Sequence, residues 1–297
     1  GEEAKNRLQN VEVSHAIEKS EQEKEIFRLR NVELKAAYQT IEEKNSQITS
    51  SIKYASYIQT AILPHPDEIK WLEKNMFILF LPKDIVSGDF YWFTEKEGKT
   101  IVVAADCTGH GVPGALMSML GVSLLEEIIN KRNLLNANEI LNQLRQEVVR
   151  SLKQSGTESK SKDGMDMSLI VVDNQDSVLQ FAGANNSLIQ VSKGELAEYK
   201  ADKMPVGIHQ KINNPFTRND IAASHGDMFY LFSDGYQDQF GGPSGKKFMI
   251  KKMKEIFIEI ASLPLSTQKE ILLNRHLEWK GSNEQVDDIL VIGVKIV

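Results

Sequence analysis

Acidic residues lie directly against apolar runs at four places in the sequence. Asp89 precedes FYWF, Asp106 ends IVVAAD, Asp234 follows FYLFS, and Asp287 and Asp288 together open DDILVIGV. A carboxylate is costly to bury alone, and the scarcity of Lys and Arg beside these positions favours neutralisation by metal. Oxygen ligands without a His or Cys set select Mg²⁺ or Mn²⁺ rather than zinc. Two such ions about 4 Å apart can generate hydroxide from water and hold a phosphoryl group.

The turn after Asp106 offers further polar groups. Its sequence, CTGHG, is flexible, and its backbone carbonyls could reach a metal. His110 is the histidine in this turn, and an imidazole there could protonate a leaving alkoxide. Taken singly, each aspartate is better explained as a turn residue or a helix cap, so the metal hypothesis depends on the whole set.

Three other motifs have the wrong context for the chemistry that they resemble. Residues 109–114 (GHGVPG) match G-x-G-x-x-G, yet no strand ending in an acid follows about twenty residues later, as dinucleotide binding requires. Residues 241–247 (GGPSGKK) lack the P-loop glycine spacing and the Ser or Thr after the lysine. Cys107 is followed six positions later by Pro113, where a cysteine-nucleophile phosphatase has an arginine.

The composition excludes several classes of protein. The chain has 297 residues and 41% hydrophobic content, which permits a core and rules out disorder along the whole length. Its 35 Lys and Arg against 41 Asp and Glu give a net charge of −6, which argues against nucleic-acid binding and suits a cytoplasmic protein. One cysteine allows no internal disulfide, and no apolar run approaches the roughly 20 residues that span a bilayer.

Residues 2–62 are predicted to form one long helix, because no Gly or Pro interrupts them. The apolar positions alternate in steps of four and three, which is a heptad pattern. Its a positions are Tyr38, Asn45 and Ile52, and its d positions are Leu34, Ile41, Ile48 and Ala55. An Asn at an a position can pair with its copy on a parallel partner, so Asn45 predicts a parallel homodimer through residues 1–62. The alternative is an amphipathic helix that packs on its own domain.

From Pro64 onward, short β-rich runs, turn residues and helical stretches replace the long helix. Strands are predicted at 76–81, 90–93, 100–105, 167–172, 177–182, 188–191, 228–232 and 289–294, and helices at 114–130, 137–153, 247–261 and 266–279. The polar segment 154–164 is predicted to be a loop. The fold class is therefore α+β, with a helix over 1–62, a linker over 63–75 and one domain over 76–297.

Seven motifs occur in an order that resembles a known enzyme family. They are PKDIVSGDFYWF, AADCTGHGVPGALMSMLG, DGMDMSLIVVD, FAGANNSLI, KMPVGI, FYLFSDGYQDQFGG and VDDILVIGV. In these motifs the chain resembles the SpoIIE/RsbU-type branch of the PP2C (PPM) metal-dependent serine/threonine phosphatases, over roughly residues 52–297. The resemblance implies an αββα sandwich, in which two antiparallel sheets are flanked by helices, with a two-metal site at one end.

The resemblance also implies roles for individual residues. The expected ligands of two Mn²⁺ or Mg²⁺ ions are Asp89, Asp106, Asp234, Asp287, Asp288 and the carbonyl of Cys107. Asp106 would bridge both ions, and His110 would be the general acid. Lys83 is the candidate nearest to where eukaryotic-type enzymes hold the phosphate with an arginine, and it offers a point charge without bidentate geometry. The segment aligned with a third-metal aspartate reads GANN at 183–186, and Asp166 is either a substitute ligand or a structural residue.

The function implied is hydrolysis of phosphoserine and phosphothreonine proteins by direct attack of a metal-activated water. In family terms, the substrate would be a phosphorylated anti-sigma-factor antagonist of STAS type, in a bacterial partner-switching pathway. The alternative is a dimeric signalling scaffold whose vestigial site binds a partner without turnover.

A regulatory role is expected for the long helix. It has no Gly or Pro hinge up to Leu63, so a twist or shift of the paired helices is predicted to reposition the metal ligands. The chain begins with Gly1 inside the helical pattern, which predicts that an upstream sensor is missing from this fragment. In the full-length protein, that sensor could tether the chain to a membrane.

Overall fold

The computed structural model describes residues 1–65, 67, 69–154, 162–173 and 178–297. The chain divides into two units, Gly1–Tyr54 and Ala55–Val297. Helix α1, Glu2–Ile62, supplies the whole first unit apart from its first residue, and its last turns belong to the second unit. The boundary between these two compact units falls at residue 54, within the helix.

Four of the apolar heptad positions of α1 are exposed in the single chain, whereas Ile52 and Ala55 are partly buried. Leu34, Tyr38, Ile41 and Ile48 each expose between 54% and 64% of their surface. A row of large exposed apolar side chains is typical of an interaction surface. This face of the helix is therefore available to a second helix.

The second unit contains strands and helices in mixed order. Its strands are β1 (Met76–Leu81), β2 (Phe90–Lys96), β3 (Lys99–Cys107), β4 (Gly164–Asp173), β5 (Val178–Ala184), β6 (Leu188–Ser192), β7 (Glu195–Tyr199), β8 (Val206–Gly207), β9 (Asn219–Ala222), β10 (Met228–Phe232), β11 (Phe240–Gly241), β12 (Lys246–Lys247) and β13 (Ile289–Lys295). Its further helices are α2 (Lys70–Asn75), α3 (Gly111–Leu125), α4 (Ala137–Ser151), α5 (Gly235–Asp238), α6 (Ile250–Ile260) and α7 (Leu265–Lys280). A π-helical segment, Glu126–Lys131, continues α3.

Two antiparallel sheets form the centre of this unit. One sheet has the strand order β1-β13-β10-β6-β7, and the other has the order β2-β3-β4-β5-β9, with β8 beside β4. Apolar residues of both sheets pack together in one buried cluster, which lies between the sheets. The outer face of the second sheet is covered by α3 and α4, and the outer face of the first by α6 and α7. The αββα sandwich and the α+β class are confirmed.

The middle of strand β3 is a continuous apolar run because both faces of the strand are buried. In β3, Val102 and Ala104 belong to the cluster between the sheets, whereas Ile101, Val103 and Ala105 pack against α3 and α4. Successive side chains of a strand point to opposite faces, so a strand with helices on one side and a sheet on the other needs apolar residues throughout. The run IVVAA is therefore a consequence of the layered architecture.

Some elements differ from the sequence prediction. The predicted linker contains α2, whose Leu72 is fully buried in the cluster between the sheets. Strands β7 and β9 were not predicted, because they are short, half-polar and partly exposed. Ser177 and most of the predicted loop 154–164 lie outside the described residues.

One stretch of the described chain, Gly111–Lys131, is long and apolar enough to cross a membrane by length and composition. In its most apolar 18 residues, 56% are buried. Met117, Leu125 and Ile128 of this stretch pack into the core against the sheet. Its apolar character is explained by that packing.

Candidate active site

The acidic residues singled out in the sequence lie at neighbouring strand ends of both sheets. In one sheet, the first residue of β2 pairs with Ala105 of β3, which puts Asp89 beside Asp106. In the other sheet, β10 and β13 are antiparallel neighbours, so the end of β10 brings Asp234 near Asp287, which closely precedes β13. The topology therefore gathers residues that are up to 198 positions apart in the sequence.

Ser233 links these two pairs of strand ends. Its hydroxyl donates a 2.5 Å hydrogen bond to Oδ2 of Asp89 and accepts a 3.0 Å bond from the backbone N–H of Leu290. Asp89 and Ser233 are almost completely buried. Sequence reasoning missed Ser233: its place next to Asp234 was visible, but no local pattern indicates a contact with a residue 144 positions away.

The carboxylates raise one another's pKa values. Burial raises the pKa of Asp106 to about 8, with further contributions from the charges of Asp234 and Asp287. The pKa of Asp234 rises to about 6 through burial and the charge of Asp287. Burial, and then the charge of Asp106, holds the pKa of Asp89 well above its ordinary value. These residues therefore form one electrostatically coupled cluster in which each added negative charge is unfavourable.

The donor chemistry of this cluster fits a hard divalent cation. It presents several carboxylates in a partly buried place, and positive charge there would relieve their repulsion. As the described side chains stand, no three carboxylate, imidazole or thiol groups converge at metal-ligand spacing. To hold a cation, the carboxylate oxygens of this cluster would have to lie closer together than they do here.

Asp288 has a different environment from the other acids. It is buried, its Oδ1 accepts a 2.7 Å hydrogen bond from the N–H of Lys83, and its Oδ2 accepts one of 2.7 Å from the N–H of Gly88. Each oxygen of this predicted metal ligand thus already has a backbone donor. The observed contacts make Asp288 the anchor of the loop that leads into Asp89.

The loop before Asp89 and the turn after Asp106 approach very closely. A Cβ on Gly88 would lie 2.6 Å from the carbonyl oxygen of Gly109 and 3.4 Å from that of Cys107. A Cβ on Gly114 would lie 2.2 Å from the same Gly109 oxygen. Both positions therefore require glycine, and the Cys107 carbonyl lies beside the residue that precedes Asp89. The Cys107 thiol is buried, and burial raises its pKa, so it is unsuited to act as a nucleophile.

His110 and Lys83 lie at the rim of the cluster. The His110 side chain is 58% exposed, and its Nδ1 lies 2.9 Å from Oδ2 of Asp84. Lys83 is half-buried, and within the described parts of the chain no carboxylate lies within 4 Å of its ammonium group. Asp84 was not singled out from the sequence, although its position between Lys83 and Asp89 could have indicated it.

Asp166 lies directly opposite Asp106 in the sheet, at the paired position of β4. Its Oδ1 accepts a 2.8 Å hydrogen bond from the side-chain amide of Asn185, in the GANN segment. Burial raises the pKa of Asp166, while the charge of Lys203 acts in the opposite direction. The structure thus places Asp166 in contact with the GANN segment, whose missing carboxylate it could replace.

Solved structures resemble this chain. The PP2C domain of SiaA from Pseudomonas aeruginosa is 33% identical, and the match covers 85% of this chain and 98% of that one with a TM-score of 0.76. The phosphatase domain of SpoIIE from Bacillus subtilis, with a fragment of its regulatory domain, is 19% identical over 75% of this chain and 63% of that one, with a TM-score of 0.62. RsbX in complex with magnesium is 15% identical over 74% of this chain and 94% of that one, with a TM-score of 0.53. At this identity, the last two show the fold alone.

The sequence comparisons agree with the structural ones. No curated protein matches the chain. The family model for stage II sporulation protein E (SpoIIE) matches residues 96–297, which is more than half of the sequence. Together with the SiaA domain, this match shows that the chain belongs to the SpoIIE family of PP2C-type, metal-dependent protein serine/threonine phosphatases.

Proposed function

We propose that the chain hydrolyses phosphoserine and phosphothreonine in a protein substrate, with two Mg²⁺ or Mn²⁺ ions held at the strand-end cluster. The observation that carries this proposal is the set of buried, mutually repelling carboxylates at strand ends of both sheets. Asp106 would bridge the ions, and the other ligands would be Asp89, Asp234, Asp287 and the Cys107 carbonyl. When bound, such ions supply an acidified water and positive charge for the phosphoryl oxygens. RsbX, which shares the fold, has been solved in complex with magnesium.

The chain's own rim residues have two tasks in this reaction. Lys83 lies on the loop pinned by Asp288, where its free ammonium group can bind a phosphoryl oxygen as a point charge. His110 lies on the turn that follows Asp106, with an exposed imidazole that can donate a proton to the departing serine or threonine oxygen. Asp288 would act on the site through the loop, by fixing the backbone between Lys83 and Gly88.

The test is phosphate release from a phosphoserine protein in the presence of Mn²⁺. We expect Asp106→Asn to lower the rate at least about 100-fold and excess chelator to abolish it. Asp220→Asn is the matched control, because Asp220 is an exposed aspartate on β9 paired with Arg218, and it should leave the rate unchanged. Activity that survives in Asp106→Asn or in chelator would contradict the metal mechanism.

Calorimetric titration with Mn²⁺ distinguishes the enzyme from the alternative, a scaffold with a vestigial site. A working two-metal enzyme should bind two equivalents of Mn²⁺, and both should be lost in Asp106→Asn. A chain that binds no metal and releases no phosphate, yet still binds a phosphoprotein partner, would support the scaffold.

We propose a phosphorylated STAS-type anti-sigma-factor antagonist as the substrate and the cytoplasm as the compartment. The support is membership of the SpoIIE family together with a net charge of −6 and a single buried cysteine. Dephosphorylation of a panel of phosphorylated STAS proteins, compared with unrelated phosphoproteins at equal concentration, tests the substrate class. Equal rates on both sets would contradict the proposed substrate class.

We also propose that helix α1 forms a parallel homodimer and regulates the site. The support for coupling is Gln59, a buried residue in the last turns of α1. Its side-chain amide donates to the Ser87 carbonyl at 2.6 Å and to the Ser118 hydroxyl at 2.7 Å, and its oxygen accepts from the Ser87 N–H at 3.1 Å. Ser87 is two residues before Asp89, so a shift of the end of α1 is transmitted to the loop that carries a proposed ligand. A chain that starts near Asp67 should then differ from the 297-residue chain in activity and metal response.

A further inference from the structure

Asp84, in the loop before Asp89, contacts the imidazole of His110. The Nδ1–Oδ2 distance is 2.9 Å, and both side chains are about half exposed, at 58% for His110 and 46% for Asp84. An ionised carboxylate can only accept hydrogen bonds, so Nδ1 must be the donor. The other ring nitrogen, Nε2, has no protein partner among the described residues and is open to solvent.

The position of Asp84 is fixed from two sides. The N–H groups of Lys83 and Gly88 donate to the buried Asp288, so the loop that contains Asp84 is anchored at both ends. The Asp84 carboxylate also lies at the start of α3, where Oδ2 is 3.5 Å from the place of a Cβ on Gly111. The N-terminus of a helix of 15 residues attracts a negative charge. The carboxylate is therefore held in place before any substrate arrives.

We propose that Asp84 is the positioning residue of His110: it holds the imidazole with Nδ1 protonated, so that Nε2 carries the proton that is given to the leaving oxygen. This inference rests on the proposed phosphatase function and adds a residue to it. Asp84 acts through His110 and touches no reacting atom. A carboxylate that orients an imidazole and fixes its tautomer is a common device in proton-transfer catalysis.

In this step one proton passes from His110 to the serine oxygen. A water that has given one proton to solvent forms a bond to phosphorus through its oxygen, and the bond between phosphorus and the serine oxygen breaks. The serine oxygen takes the Nε2 proton of the imidazolium and leaves as a neutral hydroxyl. His110 remains as a neutral imidazole with its proton on Nδ1, hydrogen-bonded to Asp84, and regains a proton from solvent.

The inference predicts a dependence on the leaving group. A serine alkoxide is a poor leaving group and needs the proton, whereas p-nitrophenolate leaves without one near neutral pH. With Mn²⁺ present, Asp84→Ala should lower kcat on a phosphoserine peptide about 10- to 100-fold. The same variant should stay within about threefold of the unaltered chain on p-nitrophenyl phosphate. Asp84→Asn keeps an acceptor for Nδ1–H and should recover part of the loss.

A matched control is available within the same chain. His65 and Asp67 form a similar exposed pair, with Nδ1 3.2 Å from Oδ2, outside the strand-end cluster. Asp67→Ala should change the rate on neither substrate. Equal losses on both substrates in Asp84→Ala, or no loss on the phosphoserine peptide, would overturn the inference.

A spectroscopic readout is independent of turnover. In the metal-free protein, at a pH where His110 is neutral, imidazole ¹⁵N shifts should show the proton on Nδ1, and Asp84→Ala should shift it toward Nε2. An unchanged tautomer in Asp84→Ala overturns the inference even if that variant is slow. If the unaltered chain releases no phosphate from either substrate, the proposed function fails, while the tautomer measurement still decides whether Asp84 positions the ring.

Discussion

Asp106 is surrounded by other carboxylates of the cluster. It lies beside Asp89, opposite Asp166, and within the electrostatic influence of Asp234 and Asp287. Its pKa of about 8 means that the metal-free protein takes up protons on folding, since an unfolded aspartate titrates near 3.9. A raised carboxylate pKa makes the folded state less stable as pH rises between these two values.

The stability of the metal-free protein should therefore fall between about pH 6.5 and pH 8. His276 does not contribute in this pH range. Burial lowers its pKa to about 4, so His276 makes stability rise with pH, but only below the ordinary pKa of histidine. Asp106→Asn should flatten the decline, and saturating Mn²⁺ should remove most of it. Urea unfolding in chelator at several pH values measures the effect. An identical decline in the unaltered chain and in Asp106→Asn would show that Asp106 does not carry the coupling.

Residue types alone indicated which carboxylates would gather, but not what surrounds them. Asp89, Asp106, Asp234 and Asp287 were found because an acid flush against an apolar strand is unusual and visible locally. The contacts of Ser233, Asp84 and Asn185 join residues between 19 and 144 positions apart, and no local pattern encodes them. Both oxygens of Asp288 accept hydrogen bonds from backbone N–H groups. The sequence alone does not distinguish such an aspartate from one whose oxygens are free to bind a metal.

At the scale of elements, the sequence predicted the buried strands correctly and missed short, exposed ones. Strands buried on both faces are continuous apolar runs, and the predicted boundaries of β1 and β10 match those observed. Strands β7 and β9 border the sheets, and helix α2 buries mainly Leu72, so their patterns were too short to find. The π-helical segment after α3 was predicted as ordinary helix, because its residues have the same apolar spacing.

The contact between α1 and the loop before Asp89 leads to a prediction for Gln59. Gln59→Leu keeps the side chain's size but leaves the buried N–H of Ser87 without its side-chain partner and removes one of the two donors to the Ser87 carbonyl, which costs about 1–3 kcal/mol of folding stability. The freed loop should also hold Asp89 less firmly, so more Mn²⁺ should be needed for half-maximal activity. Titration of activity with Mn²⁺, alongside urea unfolding, measures the two effects.

Gln47→Leu is the control for this change. It is the same substitution at an exposed site of the same helix, on the face away from the heptad seam. It should alter neither stability nor Mn²⁺ dependence. If Gln59→Leu loses stability but keeps the Mn²⁺ dependence of the unaltered chain, the contact is structural and does not couple α1 to the site.

At the scale of the whole molecule, one helix has to serve two different environments. Up to Tyr54 it exposes an apolar seam, whereas from Ala55 it belongs to the catalytic unit and buries Gln59. The family model matches residues 96–297, which is most of the catalytic unit but no part of this helix. The regulatory part of the proposal therefore depends on this chain's own heptads.

Charge in the seam tests the proposed dimer. Ile48 occupies a d position and is 57% exposed in the single chain, so Ile48→Lys places a cation against its copy in a parallel pair. Sedimentation should show a dimer for the unaltered chain and a monomer for this variant at the same micromolar concentration. Gln47→Lys adds the same charge one residue away, outside the seam, and should remain dimeric. If Ile48→Lys stays dimeric, or the unaltered chain is monomeric, the seam does not pair.

Asn45, the polar a position, gives a second test of the dimer, in which the substitution should raise the stability of the helix rather than lower it. Asn45→Val removes an amide that costs stability but specifies pairing, so the helix should unfold at a higher temperature and the chain should form mixed oligomers. If pairing also controls the site, Ile48→Lys should change the Mn²⁺ dependence of phosphate release in the same direction as Gln59→Leu, although the two residues lie in different units of the chain. A monomeric Ile48→Lys chain with unaltered Mn²⁺ dependence would separate dimerisation from regulation and leave Gln59 as a local support of the loop.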